Sequence, residues 1–185
     1  MKRLLINRNV SINRRLKLFE STVSKCVLWC TESWSPRAEE LRELDVARNG
    51  MLRRLVGCLR GADEEWLDWL RRTTRKARGW AEKAGLVDWS CAHFRQKWRW
   101  AGHVARRSAT TWLYRVSTWR DAYWQTLVTD LGTSRPLRPS TRRWMKWEDV
   151  LRRYCMSEGL GQWTEYAADR DMWTLRADVF ARSMA

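Results

Sequence analysis

The sequence predicts an all-α fold, a helix-bundle-like array of about six or seven helices with no substantial sheet. Three observations predict it. Apolar residues recur at three- and four-residue spacing along nearly the whole chain. Ser, Asp, Pro and Gly fall where those periods begin or end, as helix caps and stops do. The short alternation WLYRV at residues 112 to 116 lies inside a longer helical period, so no segment reads as a strand. With 185 residues the chain can bury a core without disulfide staples, and its 44% hydrophobic fraction is that of a globular protein.

The elements follow in order. Ser11 is placed to cap a first long helix whose stripe is Leu16, Phe19, Val23, Cys26, Val27 and Cys30. Ser35 and Pro36 restart the chain as N-cap and first helical residue, with Glu39 and Glu40 in the first turn. Leu41, Leu44, Met51, Leu52 and Leu55 carry that second helix to Gly57. Asp63 opens a third, with Trp66, Trp69 and Leu70 inward and Gly79 near its end. Asp88 caps a fourth that runs toward Arg107. Trp112, Val116, Trp119, Tyr123 and Leu127 form a fifth, ending before Gly132. LGTSRPLRPST, residues 131 to 141, carries two of the three prolines and reads as a linker. Beyond it Trp144, Trp147, Leu151 and Tyr154 make a helix stopped near Gly159 and Gly161, and a last helix spans Trp173 to Phe180. The expected organisation is therefore a helical region over 1–131, a linker over 132–141 and a small helical region over 142–185.

The formal charge is +15, and it is uneven. From Met156 to Ala185 there are three Arg against five Asp plus Glu, a balance of −2, so the preceding residues carry +17. A surface that basic suits an acidic partner, nucleic acid first and an anionic membrane next. Lysines number seven of the 36 cations, which leaves 29 arginines. Arginine forks to phosphate and stacks on aromatic planes. GC-rich coding favours Arg and Trp as well, and both explanations of their abundance stay open. Five irregularly spaced cysteines, the lack of a secretory apolar segment after Met1 and the lack of a membrane-length apolar run predict an intracellular protein. Nuclear or cytoplasmic placement is expected, with no secretion and no membrane partner.

The motifs of common catalytic sites are missing. The chain has no Asp-Asp pair, no Gly-rich phosphate loop, no Gly-x-Ser-x-Gly and no His-Glu-x-x-His. Cys26 and Cys30 sit on an apolar stripe, where free cysteine behaves as a small hydrophobe. Cys91 and His93 point apart on a helix, so a metal centre is not expected. Asp63, Glu64, Glu65 and Asp68 read as helix-start charges. No catalytic residue, cofactor or metal is predicted.

Binding residues are another matter. RQKWRWAGHVARR, residues 95 to 107, holds five cations, no acid and two tryptophans. On a helix from Asp88, Cys91, Phe94, Trp98, Ala101 and Ala105 line one apolar face. Trp100 lies about 200° from Trp98 and cannot share that face. It falls with Lys97, His103, Arg106 and Arg107 on the opposite side, close to Arg99. Cations there would meet phosphates while a flat ring stacks on a base. The alternative is that Trp100 packs under another helix or under the linker. Gly102 inside this helix asks for a close neighbour or a helix end. A second basic-aromatic cluster, residues 135 to 147, contains Arg142, Arg143, Trp144 and Lys146, and a third is RRTTRKARGW, residues 71 to 80. Together they suit a phosphate backbone, not base-specific reading.

Four segments carry a resemblance. RRLKLFESTV followed by LWCTESW at Arg14 to Trp34, MLRRLVG at Met51 to Gly57, RWAGHVAR at Arg99 to Arg106 and RPSTRRWMKWEDVL at Arg138 to Leu151 occur in order. The chain over residues 12 to 151 resembles the region that follows the polymerase palm in non-LTR, LINE-type retrotransposon reverse transcriptases. That family's parent polyprotein is an RNA-directed DNA polymerase. Its metal-holding pair of aspartates has no counterpart here, so the resemblance implies the thumb and C-terminal part alone, non-catalytic by itself. It implies binding to RNA, or to an RNA–DNA or DNA duplex, and docking to the polymerase palm. The family's Tyr-Gly is Trp29-Cys30 in this chain, and loss of that glycine predicts a more regular helix. Two other readings remain: a non-functional fragment of a decayed element, and a protein-interaction module with a basic docking face.

Overall fold

The computed structural model describes residues 2–107, 109–118 and 147–185, and among them no strand occurs. The protein is all-α. By contacts it groups into two compact units, residues 1–97 with 178–185, and residues 98–177. The linker expected at 132–141 lies outside the described residues, as do Trp119, Tyr123, Leu127 and Trp144.

The first unit begins with a short helix α1 (Lys2–Leu5) and α2 (Ile12–Phe19). A π-helical turn, Glu20–Ser24, then leads into a single turn α3 (Lys25–Val27) and a 3-10 turn, Thr31–Ser33. The π-turn explains why the expected stripe fails halfway. It adds one residue to a turn, so every later inward position moves by one. Leu16 and Phe19 are buried as expected, but Ser24, Leu28 and Thr31 take the places foreseen for Val23, Val27 and Cys30. Cys26 and Cys30 are both exposed, not core. The cause is local. Ser21 and Thr22 hydroxyls both donate to the Leu18 carbonyl, at 3.2 and 2.5 Å, and hydroxyls inserted into the helix ladder bend it. The inward Ser24 hydroxyl donates to Glu20 at 2.8 Å and accepts the Trp89 indole N–H at 2.9 Å. Cys30 does not regularise the chain. It sits in the left-handed region at φ 53°, where a glycine would be unstrained.

Helix α4 (Ala38–Val56) starts two residues later than Ser35 and Pro36 suggested. Arg37 is its N-cap position, and its backbone N–H donates to the Glu40 carboxylate at 2.8 Å. Gly57 ends it at φ 69°. Leu52 and Leu55 are buried, Met51 is exposed, and Arg48 and Asn49 take inward places. Helix α5 (Trp66–Lys83) packs on α4 through the small residues Thr73, Ala77 and Ala81. Trp66, expected inward, lies on the row of Thr73 but is the first residue of the helix, and it is exposed. The helix passes through Gly79 and stops instead at Gly85, where Leu86 N–H reaches back to the Ala81 carbonyl at 2.9 Å. Helix α6 (Trp89–Ala105) follows. Asp45 of α4 accepts the Ser90 N–H at its start, while Asp88 pairs with Arg48 at 2.7 Å. The core joins Leu16, Phe19, Leu28, Leu52, Leu55, Ala77, Ala81 and Trp89. Phe19 and Trp89 stack at 6.0 Å. Full burial of each leucine or phenylalanine in this core contributes about 1.5–3 kcal/mol.

Charges are buried where backbone carbonyls need donors. Arg15 is 7% exposed and donates to the carbonyls of Val10, Leu5 and Leu55, tying α1, α2 and the end of α4 together. His93 is 1% exposed, its Nδ1 2.7 Å from the Thr31 hydroxyl. Its Nε2 is buried and has no hydrogen-bond partner among the described residues. The last segment of this unit belongs to a helix spanning Ala177–Met184. Phe180 meets Phe94 edge-on at 5.9 Å and Asp178 pairs with Arg95 at 2.6 Å.

In the second unit the C-terminal part of α6 is joined by α7 (Trp112–Thr118), α8 (Asp149–Ser157), α9 (Trp163–Tyr166) and α10 (Arg170–Leu175); the helix Ala177–Met184 is α11. The expected single helix from Trp173 to Phe180 is thus two, broken at Arg176. Asp169 caps α10 by accepting from the N–H groups of Asp171 and Met172, both at 3.0 Å. Gly159 ends α8 at φ 66°, with Leu160 N–H on the Cys155 carbonyl at 2.8 Å. The stop foreseen at Gly159 to Gly161 is there.

The centre of this unit is a reciprocal tryptophan pair. The rings of Trp98 and Trp173 stack 3.7 Å apart within 6° of parallel. Trp98 donates its indole N–H to the Trp173 carbonyl at 2.7 Å, and Trp173 returns the bond to the Trp98 carbonyl at 2.9 Å. Gly102 is explained by this pair: a Cβ there would fall on the indole of Trp173. Tyr154 closes one edge of Trp98 at 5.5 Å, and Leu151, Cys155 and Ala167 complete the interior. Trp163 donates to the buried Glu148 carboxylate at 2.9 Å.

Three outcomes follow. Gly102→Ala lowers stability by about 1–3 kcal/mol despite the better helix propensity of Ala, because the Trp173 indole, stacked on Trp98 and bonded to its carbonyl, cannot yield; denaturant melts with Trp173→Phe beside it measure this. Cys30→Gly raises stability by roughly 0.5–1 kcal/mol through relief of the left-handed backbone, read as a higher melting temperature. His93, pushed down to about 4 by burial and by Lys97, stays neutral in the fold. Between about pH 6.5 and 4 the unfolded chain binds a proton that the folded chain refuses, so stability falls as pH drops, by roughly 3 kcal/mol at pH 4. Urea melts of parent and His93→Gln across that window test it: the variant should lack this part of the slope.

Candidate nucleic-acid interface

Helix α6 presents different surroundings along its length. In its first half Trp89, Ser90, Cys91, His93, Phe94 and Lys97 are all buried, so the helix is covered around most of its circumference. Lys97 therefore does not join an exposed stripe. It is 1% exposed, and its ammonium donates to the Trp34 carbonyl at 2.7 Å. A carbonyl at the end of a 3-10 turn needs a donor, and the long aliphatic stem of lysine supplies one from the interior.

In the second half the two-faced pattern holds. Trp98, Ala101 and Val104 are buried, and Ala105 is half-buried. Arg99, His103, Arg106 and Arg107 are exposed, and Trp100 is half-buried. Trp100 and His103 stack at 5.3 Å and 28°, one helical turn apart. Arg107 then lies 3.1 Å from His103 Nε2. The guanidinium donates, so Nε2 accepts and the His103 proton belongs on Nδ1. Ring, ring and guanidinium thus form a short column along one face of α6. Arg106 has a different duty: it donates to the Ala167 carbonyl at 2.8 Å and anchors α9 to α6. Four residues of the motif RWAGHVAR therefore divide in two, Gly102 and Arg106 holding the unit together while Trp100 and His103 face outward.

Residues Arg142, Arg143, Trp144 and Lys146 of the second expected cluster lie outside the described residues. A pair that the sequence reading passed over stands in the same unit. Trp112 was expected inward, yet it is 75% exposed, and Val116 is 70% exposed. Leu113, Tyr114 and Ser117, half-buried, turn the other side of α7 inward. The Arg115 guanidinium lies over the Trp112 ring, 5.1 Å from its centroid. The signal was the i, i+3 spacing of Trp and Arg, which puts a cation over the ring one turn back.

The acidic residues near α5 do not gather into a metal site. Glu64 folds back to the Gly61 N–H at 3.2 Å and takes a forked pair of bonds from Arg72, both at 2.7 Å, which holds its carboxyl down to about 2. Among the described residues no three of His, Cys, Asp and Glu come together as metal ligands would. Nor is any described helix long and apolar enough to cross a membrane.

No protein-family model matches the chain, and no solved structure matches it. It is similar to a transposon-derived protein of Caenorhabditis elegans, F52C9.6, with 26% identity over 164 residues that make up 86% of this chain. The chain spans about half the length of that relative, 52%. The likeness supports a transposon origin.

Proposed function

We propose that the chain is a nucleic-acid-binding module of a retrotransposon polyprotein, corresponding to the thumb and post-thumb region of its reverse transcriptase. Residues Arg99, Trp100, His103 and Arg107 of α6, with Trp112 and Arg115 of α7, would hold an RNA strand. The observation that carries this reading is the Trp112–Arg115 pair, a tryptophan left 75% in solvent with a guanidinium laid over its ring. A large apolar ring gains nothing from water. It gains from a base, and the cation over it gains from a phosphate, so the same two residues serve a strand with unpaired bases. The column Trp100–His103–Arg107 repeats that chemistry on a second helix of the same unit. The transposon-derived relative supports the setting in which such a strand would be met.

Binding to single-stranded RNA, RNA–DNA hybrid and duplex DNA across salt tests the proposal. Trp100→Ala and Trp112→Ala should each weaken single-stranded RNA by about 5- to 100-fold at ~0.15 M salt, the range that loss of one stacked base implies. Arg107→Gln should lower the log–log salt slope by about 0.7, one single-strand phosphate contact. Arg106 is a poor probe, since its loss frees the Ala167 carbonyl. If every ligand binds alike, the tryptophan variants match the parent and binding vanishes with salt, the net charge alone explains it and the chain is a relic of its element.

A further inference from the structure

The start of α6 faces a cleft of about 570 Å³ in the first unit, which the proposed RNA site does not use. Helix α4 brings Asp45 and Arg48 to it, the end of α5 brings Arg78 and Glu82, the turn into α6 brings Asp88, and α11 brings Arg182. Three guanidinium groups therefore meet three carboxylates, and the balance depends on which are already committed. Asp88 accepts from the Arg48 Nη1 at 2.7 Å, and Asp45 accepts the Ser90 N–H at 3.2 Å. Arg78, Arg182 and Glu82 make no ion pair among the described residues. Two uncommitted cations thus stand against one uncommitted acid.

We propose that this cleft binds a small phosphomonoester, its phosphate on the arginines and an organic body of mononucleotide size against the apolar wall. Three observations converge. The first is Arg48. It is 1% exposed and lines the cleft, yet its Nε is buried with no hydrogen-bond partner among the described residues. A buried charged donor without an acceptor is costly, and a phosphate oxygen supplies one in a geometry that guanidinium groups fit. Burial holds the Arg48 pKa below its ordinary value and Arg78 pushes the same way, against the carboxylates of Asp88, Asp45 and Glu20. An anion seated between the two guanidinium groups acts with those carboxylates. The second observation is the meeting of helix ends. Ser90 and Cys91 line the cleft from the first turn of α6, a 17-residue helix whose N-terminus carries partial positive charge. The C-terminal end of α5 comes to the same place, but its carbonyls at Trp80, Ala81 and Glu82 already accept from the N–H groups of Ala84, Leu86 and Gly85. The third is shape. Leu86 and Val87, half-buried, with the buried Ala81, give the cleft an apolar wall. Its volume falls within the roughly 300–1,000 Å³ of small-molecule sites and leaves more room than an inorganic ion fills.

The test is calorimetric titration of the full chain with adenosine 5′-monophosphate, adenosine and inorganic phosphate at ~0.15 M salt. The monophosphate should bind with a dissociation constant below about 1 mM, and adenosine and inorganic phosphate each at least about tenfold more weakly. Arg78→Gln/Arg182→Gln should weaken the monophosphate by at least about tenfold. Arg75→Gln/Lys76→Gln removes the same charge from exposed positions of α5 outside the cleft and should change binding by less than about threefold. Glu82→Gln removes the uncommitted acid and should tighten the monophosphate by about two- to fivefold, a gain that damage to the fold cannot imitate. Should the arginine variant melt lower than the parent, Glu82→Gln decides alone. Trp112→Ala should leave monophosphate binding unchanged, so that this site and the RNA surface stand or fall separately. Equal losses in the arginine and control variants overturn the proposal, since net charge then explains the binding. Adenosine binding as tightly as the monophosphate overturns it too, as does inorganic phosphate doing so, which leaves an ion site only. Monophosphate binding that falls with Trp112→Ala and not with Arg78→Gln/Arg182→Gln belongs to the RNA surface and likewise overturns it.

Discussion

Two tryptophans that exchange hydrogen bonds set the terms for the described part of residues 98–177. Burying an indole leaves a donor to satisfy, and each ring of the Trp98–Trp173 pair solves the other's problem by donating to the partner's backbone carbonyl. The stacking distance of 3.7 Å then fixes how near α10 comes to α6. At that separation no side chain fits at position 102, so the glycine is a consequence of the pair and not of any bend in the helix. Tyr154 against Trp98, and Arg106 against the Ala167 carbonyl, place α8 and α9 around the same point. The outward face of α6 inherits its order from this. Because Trp98 and Gly102 are held inward, Trp100 and His103 are turned away from the core.

In residues 1–97 polar groups do comparable work. Arg15 gathers three carbonyls, Lys97 takes the Trp34 carbonyl, and Ser24 relays between Trp89 and Glu20. Arg48, 1% exposed, meets Asp88 at 2.7 Å, although burial still pulls its pKa down. Asp88 is half in solvent, so the pair is buried on the arginine side alone, and removal of the carboxylate would leave the interior guanidinium without this partner. Its value here is positional: it links α4 to the start of α6, where Asp45 also caps the Ser90 N–H.

The fold class was legible because helical period survives in every described element. What the period could not show was a change of register inside an element. Ser21 and Thr22 hydroxyls act on one carbonyl, the π-turn follows, and Cys26 and Cys30 end on the surface while Leu28 and Thr31 go in. A helical wheel also treats a helix as having one covered side throughout. That assumption placed Trp98 and Trp100 correctly on opposite faces and misplaced Lys97, since the cover around α6 changes between its two halves. Trp66 and Trp112 were misread for a related reason. Tryptophan is weighted as core in any pattern count, but α5 packs through Thr73, Ala77 and Ala81, and the inward side of α7 is taken by Leu113 and Tyr114.

The abundance of tryptophan itself bears on function only after this sorting. A coding bias toward Trp and Arg raises the number of both, 15 and 29 here, without saying where they go. Among the described residues five of the rings have their indole N–H on a named acceptor, those of Trp69, Trp89, Trp98, Trp163 and Trp173, and of these all but Trp69 are buried. Bias supplied raw material that the fold has used. Exposed rings divide further. Trp29, 76% exposed, stands beside the strained Cys30 and among the described residues has no ring partner or cation over it. Trp112, equally exposed, has Arg115 over its face, and Trp100 has His103 and Arg107 in line with it. Chance enrichment accounts for a ring like Trp29. It does not account for a cation or a second ring placed one helical turn away on the same face, twice, in the unit where the helix is open to solvent. That pairing, and not the charge of +15, is what supports the proposal of a nucleic-acid strand as ligand.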